Sequence, residues 1–361
     1  MIKKLTLKSI LVKFTLLIIL IFSTNLFALT NPSETPQWHN IQLPKKSSLR
    51  GSAIIDKSMW ASGSNNTVFV SQDGGKTWFD KSPKLNIALK LNTDFRDIAL
   101  FDSKTAIVMG VGSGEQSTLF KTIDGGESWN VLYQNNDKQG FFDSIAFWDH
   151  STGLLLGDPV DGYYVVKKTI DGGKTWRRIA QSNLPVMLNK EGAFAASGNT
   201  LIVGKKNKAW ITTGGSSASI YVSNDQGENW QRQTLPLYNK TETSGGYGIG
   251  LNANQQVFVL GGDYKQREQT YVNMVTFLHN QWQKINNGTH GLRTAMSCQQ
   301  NICIATGKTS SDISFDHGQT WQVLNNPTMP KNEQGFYTLA ANNGVFLAAG
   351  EKGKVAVLIL P

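Results

Sequence analysis

Ser71-Gln-Asp73-Gly-Gly75-Lys-Thr77-Trp78 is the stretch whose reading decides the fold. The same pattern returns as Thr122-Ile-Asp-Gly-Gly-Glu-Ser-Trp129, Thr169-Ile-Asp-Gly-Gly-Lys-Thr-Trp176, Ser223-Asn-Asp-Gln-Gly-Glu-Asn-Trp230 and Ser314-Phe-Asp-His-Gly-Gln-Thr-Trp321. Each copy has the chemistry of a tight turn. The Asp carboxylate accepts hydrogen bonds from N–H groups of its own turn, and the glycine two residues on takes the positive φ that other residues resist. The Trp then opens the next strand, where its indole can pack against a neighbouring unit.

This octapeptide resembles the Asp-box, or BNR repeat, of sialidases and related β-propellers. A turn-forming side chain needs no ligand to explain it, so Asp73, Asp124, Asp171, Asp225 and Asp316 are read as scaffold.

The box tryptophans are spaced by 51, 47, 54 and 91 residues, and the last gap is about two periods. His279-Asn-Gln-Trp282 fits the missing copy, having kept its Trp and lost Asp and Gly. A further Trp strand, Trp38-His-Asn-Ile41-Gln-Leu43, has no strands before it, while Val345 to Ile359 supplies strands with no Trp after them. The two ends complete each other. The expected fold is therefore all-β: a seven-bladed β-propeller of four-stranded blades, closed by pairing the N-terminal strand with the C-terminal blade. A six-bladed ring is the alternative.

Composition agrees with many short strands joined by Gly-rich turns. Of 361 residues 35 are glycine, with 40% apolar and 17% charged. Residues 1–28 join a lysine-bearing start to the apolar run Phe14 to Phe22 and end at Ala28, a secretory signal peptide too short in its apolar core to be a span. Residues 29–361 are then one propeller domain, periplasmic or secreted, with no membrane span in the mature chain. Removing Lys3, Lys4, Lys8 and Lys13 from the formal charge of +9 leaves about +5, too mild to mark a nucleic-acid partner. Cys298 and Cys303, with four residues between them, suit opposite positions on a tight hairpin. A disulfide is the candidate there; a buried reduced pair is the alternative.

In a propeller the innermost strand of each blade starts at one mouth of the channel, and the loop between second and third strands returns to that face. The boxes lie at the other end. One offset at the inner-strand starts holds Arg50, Arg96, Asp143, Tyr247, Arg293 and Tyr337, none of them apolar. Around a ring the blades of Arg293, Tyr337, Arg50 and Arg96 are consecutive, so three guanidinium groups should converge. The second-to-third loops add Asp158, Asp161, Asp263, Tyr264, Lys265 and Lys308. An irregular fourth blade, around Asn189 to Asn199, should bring Glu191 and Ser197 over the mouth. Converging guanidinium forks need anions, supplied either by Asp143, Asp158 and Glu191 or by a ligand.

The candidate ligand-binding set is thus Arg50, Arg96, Arg293, Asp143, Asp158, Asp161, Glu191, Tyr247, Asp263 and Tyr337. A catalytic alternative follows from resemblance to the sialidase site, where arginines clamp a sugar carboxylate, a Glu-activated Tyr is the nucleophile and an Asp is the acid. It would use Arg50, Arg96 and Arg293 as clamp, Tyr247 or Tyr337 with Glu191, and Asp143. The five histidines, His39, His150, His279, His290 and His317, are scattered, so no metal site or His triad is read. Gly110-Val-Gly-Ser-Gly114 and Gly246-Tyr-Gly-Ile-Gly250 miss the dinucleotide spacing, and no cofactor is expected.

Phe95-Arg-Asp-Ile98, Ala146-Phe-Trp-Asp149, Gly157-Asp-Pro-Val-Asp-Gly162, Ala193-Phe-Ala-Ala-Ser-Gly198 and Gly261-Gly-Asp-Tyr264, with the boxes and the blade count, resemble the photosystem II stability/assembly factor family and its exported bacterial relatives. The resemblance implies a binding module that holds a partner protein through an arginine-rich face. The expected partner is accordingly an unidentified protein or an anionic small ligand.

Overall fold

The computed structural model describes residues 36–84, 93–285 and 291–360. The expected signal peptide and His290 lie outside them. Seven antiparallel sheets form the blades of a propeller. Blade one is built from Leu49–Ile55, Ser58–Gly63, Thr67–Ser71 and Phe79–Asp80, in that order from the inside outwards. The inner strands of the next five begin at Asp94, Phe142, Leu201, Ser244 and Ala295. In the seventh, Thr338–Asn342, Val345–Ala349 and Lys354–Ile359 are completed by His39–Gln42, which pairs antiparallel with Lys354–Val357. The expected closure is present, and inner strands of neighbouring blades pack against one another all the way round, the seventh against the first included.

Each Asp-box closes on itself. In the first, Asp73 Oδ1 accepts from the amides of Lys76 and Thr77 at 3.0 and 2.9 Å, and its Oδ2 accepts from the Thr77 hydroxyl at 2.6 Å. Ser71 Oγ donates to Asp73 and accepts from the Gly75 amide, whose φ is +88°. The Thr77 hydroxyl and amide, ahead of the other donors, hold the Asp73 carboxyl down at about 2; Ser128 and Thr175 do the same for Asp124 and Asp171. The box tryptophans then join blades. Trp129 meets Trp60 of the preceding blade edge to face, with centroids 6.2 Å apart. Trp230 packs among Leu154 and Tyr164 of blade three, and Trp321 against Phe258 of blade five. Trp282 of the decayed copy retains this role against the fourth blade. Burial of these indoles, rather than the turns alone, couples one sheet to the next.

Cys298 and Cys303 face each other across the first hairpin of blade six and are disulfide-bonded, with Cα atoms 4.1 Å apart.

Candidate functional site

Four of the residues at the chosen inner-strand offset share one backbone device. Ladder pairing slips between Leu49 and Gly51, Phe95 and Asp97, Phe142 and Ser144, and Gly246 and Gly248. The residue left unpaired each time is Arg50, Arg96, Asp143 or Tyr247. A β-bulge re-aims the side chain of its extra residue, and here the same bulge is repeated around the ring. All four line one cavity of about 390 Å³.

Arg267, Lys308 and Tyr337 complete its basic and aromatic wall, while Asp158 joins Asp143. The blade-four irregularity supplies a further part of the lining. Glu191–Gly192 pairs with Gly214–Gly215, which pairs in turn with blade five, and the following Ala193, Phe194, Ala195 and Ala196 line the cavity. Phe194 stacks on Tyr247 with centroids 4.3 Å apart and planes within 8°. Arg50 Nη1 donates to the Ala196 carbonyl at 3.1 Å and Arg96 Nη1 to the Ala195 carbonyl at 2.6 Å. Both arginines therefore already grip a stretch of peptide backbone.

Burial pulls the Arg50 guanidinium below its ordinary value, and the nearby charges of Arg96 and Arg267 act in the same direction. Tyr337 and Asp94 oppose them. The guanidinium lies 3.8 Å over the Tyr337 ring, whose hydroxyl donates to Glu351 Oε2 at 3.2 Å; Lys308 Nζ binds the same carboxylate at 2.8 Å. Arg96 reaches Asp94 only at 3.6 Å. On the other flank Asp143 is buried, and its Oδ2 has no hydrogen-bond partner. Burial first and the charge of Asp158 second push its carboxyl well up, against the pull of Arg96. Burial also raises Asp158.

Arg293 does not join this group. Its side chain is sealed within blade six, on Asp312, Ser310 and the Leu292 carbonyl. Blade six has no bulge at that point; its inner ladder starts only at Ala295, so the side chain stays in the wall. Glu191 is likewise turned into the wall, accepting from the Leu188 amide, the Thr213 hydroxyl and Tyr221. The tyrosine beside it is thus Tyr221, not Tyr247 or Tyr337. Tyr247 donates to the Thr243 carbonyl at 2.6 Å. Asp161 forms a hairpin turn with Gly162, at φ +55° and +82°. Asp263 is spent on the hydroxyls of Thr241 and Thr243 and the Lys265 amide. Ser197 is buried beside Asn199.

Arg267 and Glu351 were missed by sequence reasoning. Arg267 sits only three residues beyond Tyr264 in a loop already assigned to this face, so the signal was present. Glu351, in the short turn before the last strand, had none.

The family model described as photosynthesis system II assembly factor YCF48 matches residues 80–190, and the BNR/Asp-box repeat model matches 221–232 and 312–323. No curated protein sequence matches the chain. Among solved structures, a YCF48 bound to a D1 peptide is 17% identical, over 91% of this chain and 98% of that one, with a TM-score of 0.66. YCF48 from Cyanidioschyzon merolae is 15% identical over 90% and 99%, with a TM-score of 0.65. A GH74 xyloglucanase from Xanthomonas campestris is 13% identical over 88% and 53%, with a TM-score of 0.62. The chain is a seven-bladed BNR propeller that resembles the YCF48 assembly factors; at these identities the structural likenesses show the fold alone.

Proposed function

We propose that this protein is an exported, assembly-factor-like propeller that holds an anionic group of a partner protein, or of a small ligand, at the cation-lined mouth. The observation that carries the reading is the placement of Arg50 and Arg96 on bulges facing one cavity, with Arg267 and Lys308 beside them. Their forks suit a carboxylate, and the two backbone carbonyls they already hold are the acceptors a peptide offers. The related YCF48 structure with a D1 peptide supports a peptide as occupant.

The test is retention of a random hexapeptide pool with free C-terminal carboxylates on immobilised protein, against the same pool amidated. Free carboxylates should be retained preferentially, and Arg96→Ala should weaken binding about tenfold to a hundredfold, the worth of a hydrogen bond to a charged group. Equal retention of both pools, or an Arg96→Ala variant that binds as wild type, overturns the reading.

A second reading, a sialidase-like glycoside hydrolase using the same face, is favoured by one observation. Tyr337 is hydrogen-bonded to Glu351, so a tyrosine–glutamate pair exists at the mouth, though not with Glu191. Release of a fluorogenic sialoside that disappears in Tyr337→Phe would establish it; no release by wild type would remove it.

A further inference from the structure

The cations occupy blades five, six, one and two, whereas blade three contributes two carboxyls, Asp143 and Asp158, to the same cavity. Acids inside a site built for an anion call for a reason. They do not serve as counter-ions in the ordinary way: Asp143 Oδ2 is buried without a hydrogen bond, and so is Nε of the neighbouring Arg96, whose Nη1 is committed to Ala195. An unpaired buried carboxyl oxygen is costly unless something else supplies the donor. Phe141 and Phe194 line the cavity with the pair. A carboxyl pair bordered by aromatic rings is the chemistry that recognises an organic cation.

We propose that Asp143 and Asp158 form a second half-site for a protonated amine or guanidinium, so that the occupant is a peptide end with a basic side chain close to its carboxylate. This deepens the anion-binding reading and rests on it. The groups facing Asp143 are Asp158, Arg96 and the Tyr164 hydroxyl, which itself lies in the field of Glu191 and Tyr221. Burial and the charge of Asp158 both favour the protonated form of Asp143. An entering cation favours the ionised pair, and the proton leaves to solvent as the cation binds. No bond other than that O–H is broken.

The hexapeptide pool serves again, with sequencing of what is retained. Wild type should enrich lysine or arginine within the last three positions, and Asp158→Asn should lose that enrichment while still preferring free carboxylates over amides. Asp158 is only partly buried, so this variant tests the idea even if Asp143→Asn fails to fold. For a retained basic peptide, wild-type affinity should rise with pH, the direction expected when burial and mutual repulsion raise both carboxyls and the cation needs them ionised. In Asp158→Asn that rise should be blunted. Absence of basic enrichment, or its persistence in Asp158→Asn, overturns the half-site. Loss of the free-carboxylate preference with basic enrichment intact would instead overturn the anion reading, and with it the peptide end as occupant, leaving only cation recognition by the two acids.

Discussion

Arg293 donates through both Nε and Nη2 to a single oxygen of Asp312, at 2.9 and 2.7 Å, and both side chains are wholly buried. Such a pair is strongly coupled in one direction only. Removing one partner strands a charge, whereas replacing both by apolar groups of similar volume is often neutral. Asp312→Ala should therefore cost about 3–5 kcal/mol, read by urea unfolding. Arg293→Met combined with Asp312→Leu should recover most of it. Peptide retention by the double variant should equal that of wild type, because Arg293 is not in the cavity; a loss there would return it to the site.

Ring closure depends on a four-residue strand, so its anchor should matter out of proportion to its length. Trp38 is 6% exposed and packs on Phe336 with centroids 5.1 Å apart. Trp38→Ala should destabilise the protein by about 3–5 kcal/mol, the usual cost of emptying a buried aromatic site. Deleting residues 36–43 leaves Lys354–Ile359 as a bare edge, which should appear as concentration-dependent association in sedimentation. A deletion variant that stays monomeric at high concentration would show that the edge is protected some other way.

These two residues also mark what the sequence made legible. The closure could be read because Trp38 and the C-terminal strands are incomplete without each other, and a repeat array makes incompleteness visible. The fate of Arg293 could not be read from the offset alone. Alignment gives the position along a strand but not the local pairing, and the difference between Arg96 and Arg293 is a bulge, set by the ladder. A clue did exist two residues before the box, where blades one, two and four carry Phe69, Phe120 and Tyr221, blade three carries Lys167 and blade six carries Asp312. A carboxylate in a slot used for aromatic core residues needs a buried cation, and Arg293 is in the same blade. The grip of Ala195 and Ala196 on the arginines carried no side-chain signature at all.

Acid stability should report on the boxes. The carboxyls of Asp73, Asp124 and Asp171 are held at about 2, below the 3.8 of a free Asp. A depressed folded value means the contribution is complete above about pH 4 and disappears as pH falls towards 2. Asp124→Asn should lower the melting temperature at pH 6 and shrink its further fall between pH 4 and pH 2. An offset that is the same at every pH would mean that the turn geometry, not the charge, supplies the stability.

Asp97 should act in the opposite sense. Burial, outweighing the donors Ile145, Ser144 and Ile98, pushes its carboxyl up to about 7. A raised folded value means that its contribution is greatest below about pH 4, declines as pH climbs to 7, and is level above. Asp97→Asn cannot ionise. Its unfolding free energy relative to wild type should therefore rise between pH 5 and pH 7.5, by denaturant melts at each pH, even if the absolute value is lower because one acceptor is lost. A gap independent of pH would place the Asp97 proton elsewhere.

Tyr337 separates the binding and hydrolytic readings of the mouth. Its ring carries the Arg50 guanidinium at 3.8 Å, while its hydroxyl is tied to Glu351, which Lys308 also holds. Positioning of Arg50 needs the ring and not the hydroxyl. If the mouth binds anions, Tyr337→Phe should leave carboxylate-peptide affinity within about twofold, whereas Tyr337→Ala should reduce it about threefold to tenfold, in line with the worth of a partly desolvated cation–π contact. If Tyr337 is a nucleophile, hydrolysis should instead be lost equally in both variants, because the oxygen that forms the bond to the sugar is absent from each. Equal and large losses of peptide affinity, with no hydrolysis by wild type, would show that Glu351, reached through the hydroxyl, fixes the ring on which Arg50 rests, and Glu351→Gln should then reproduce the loss.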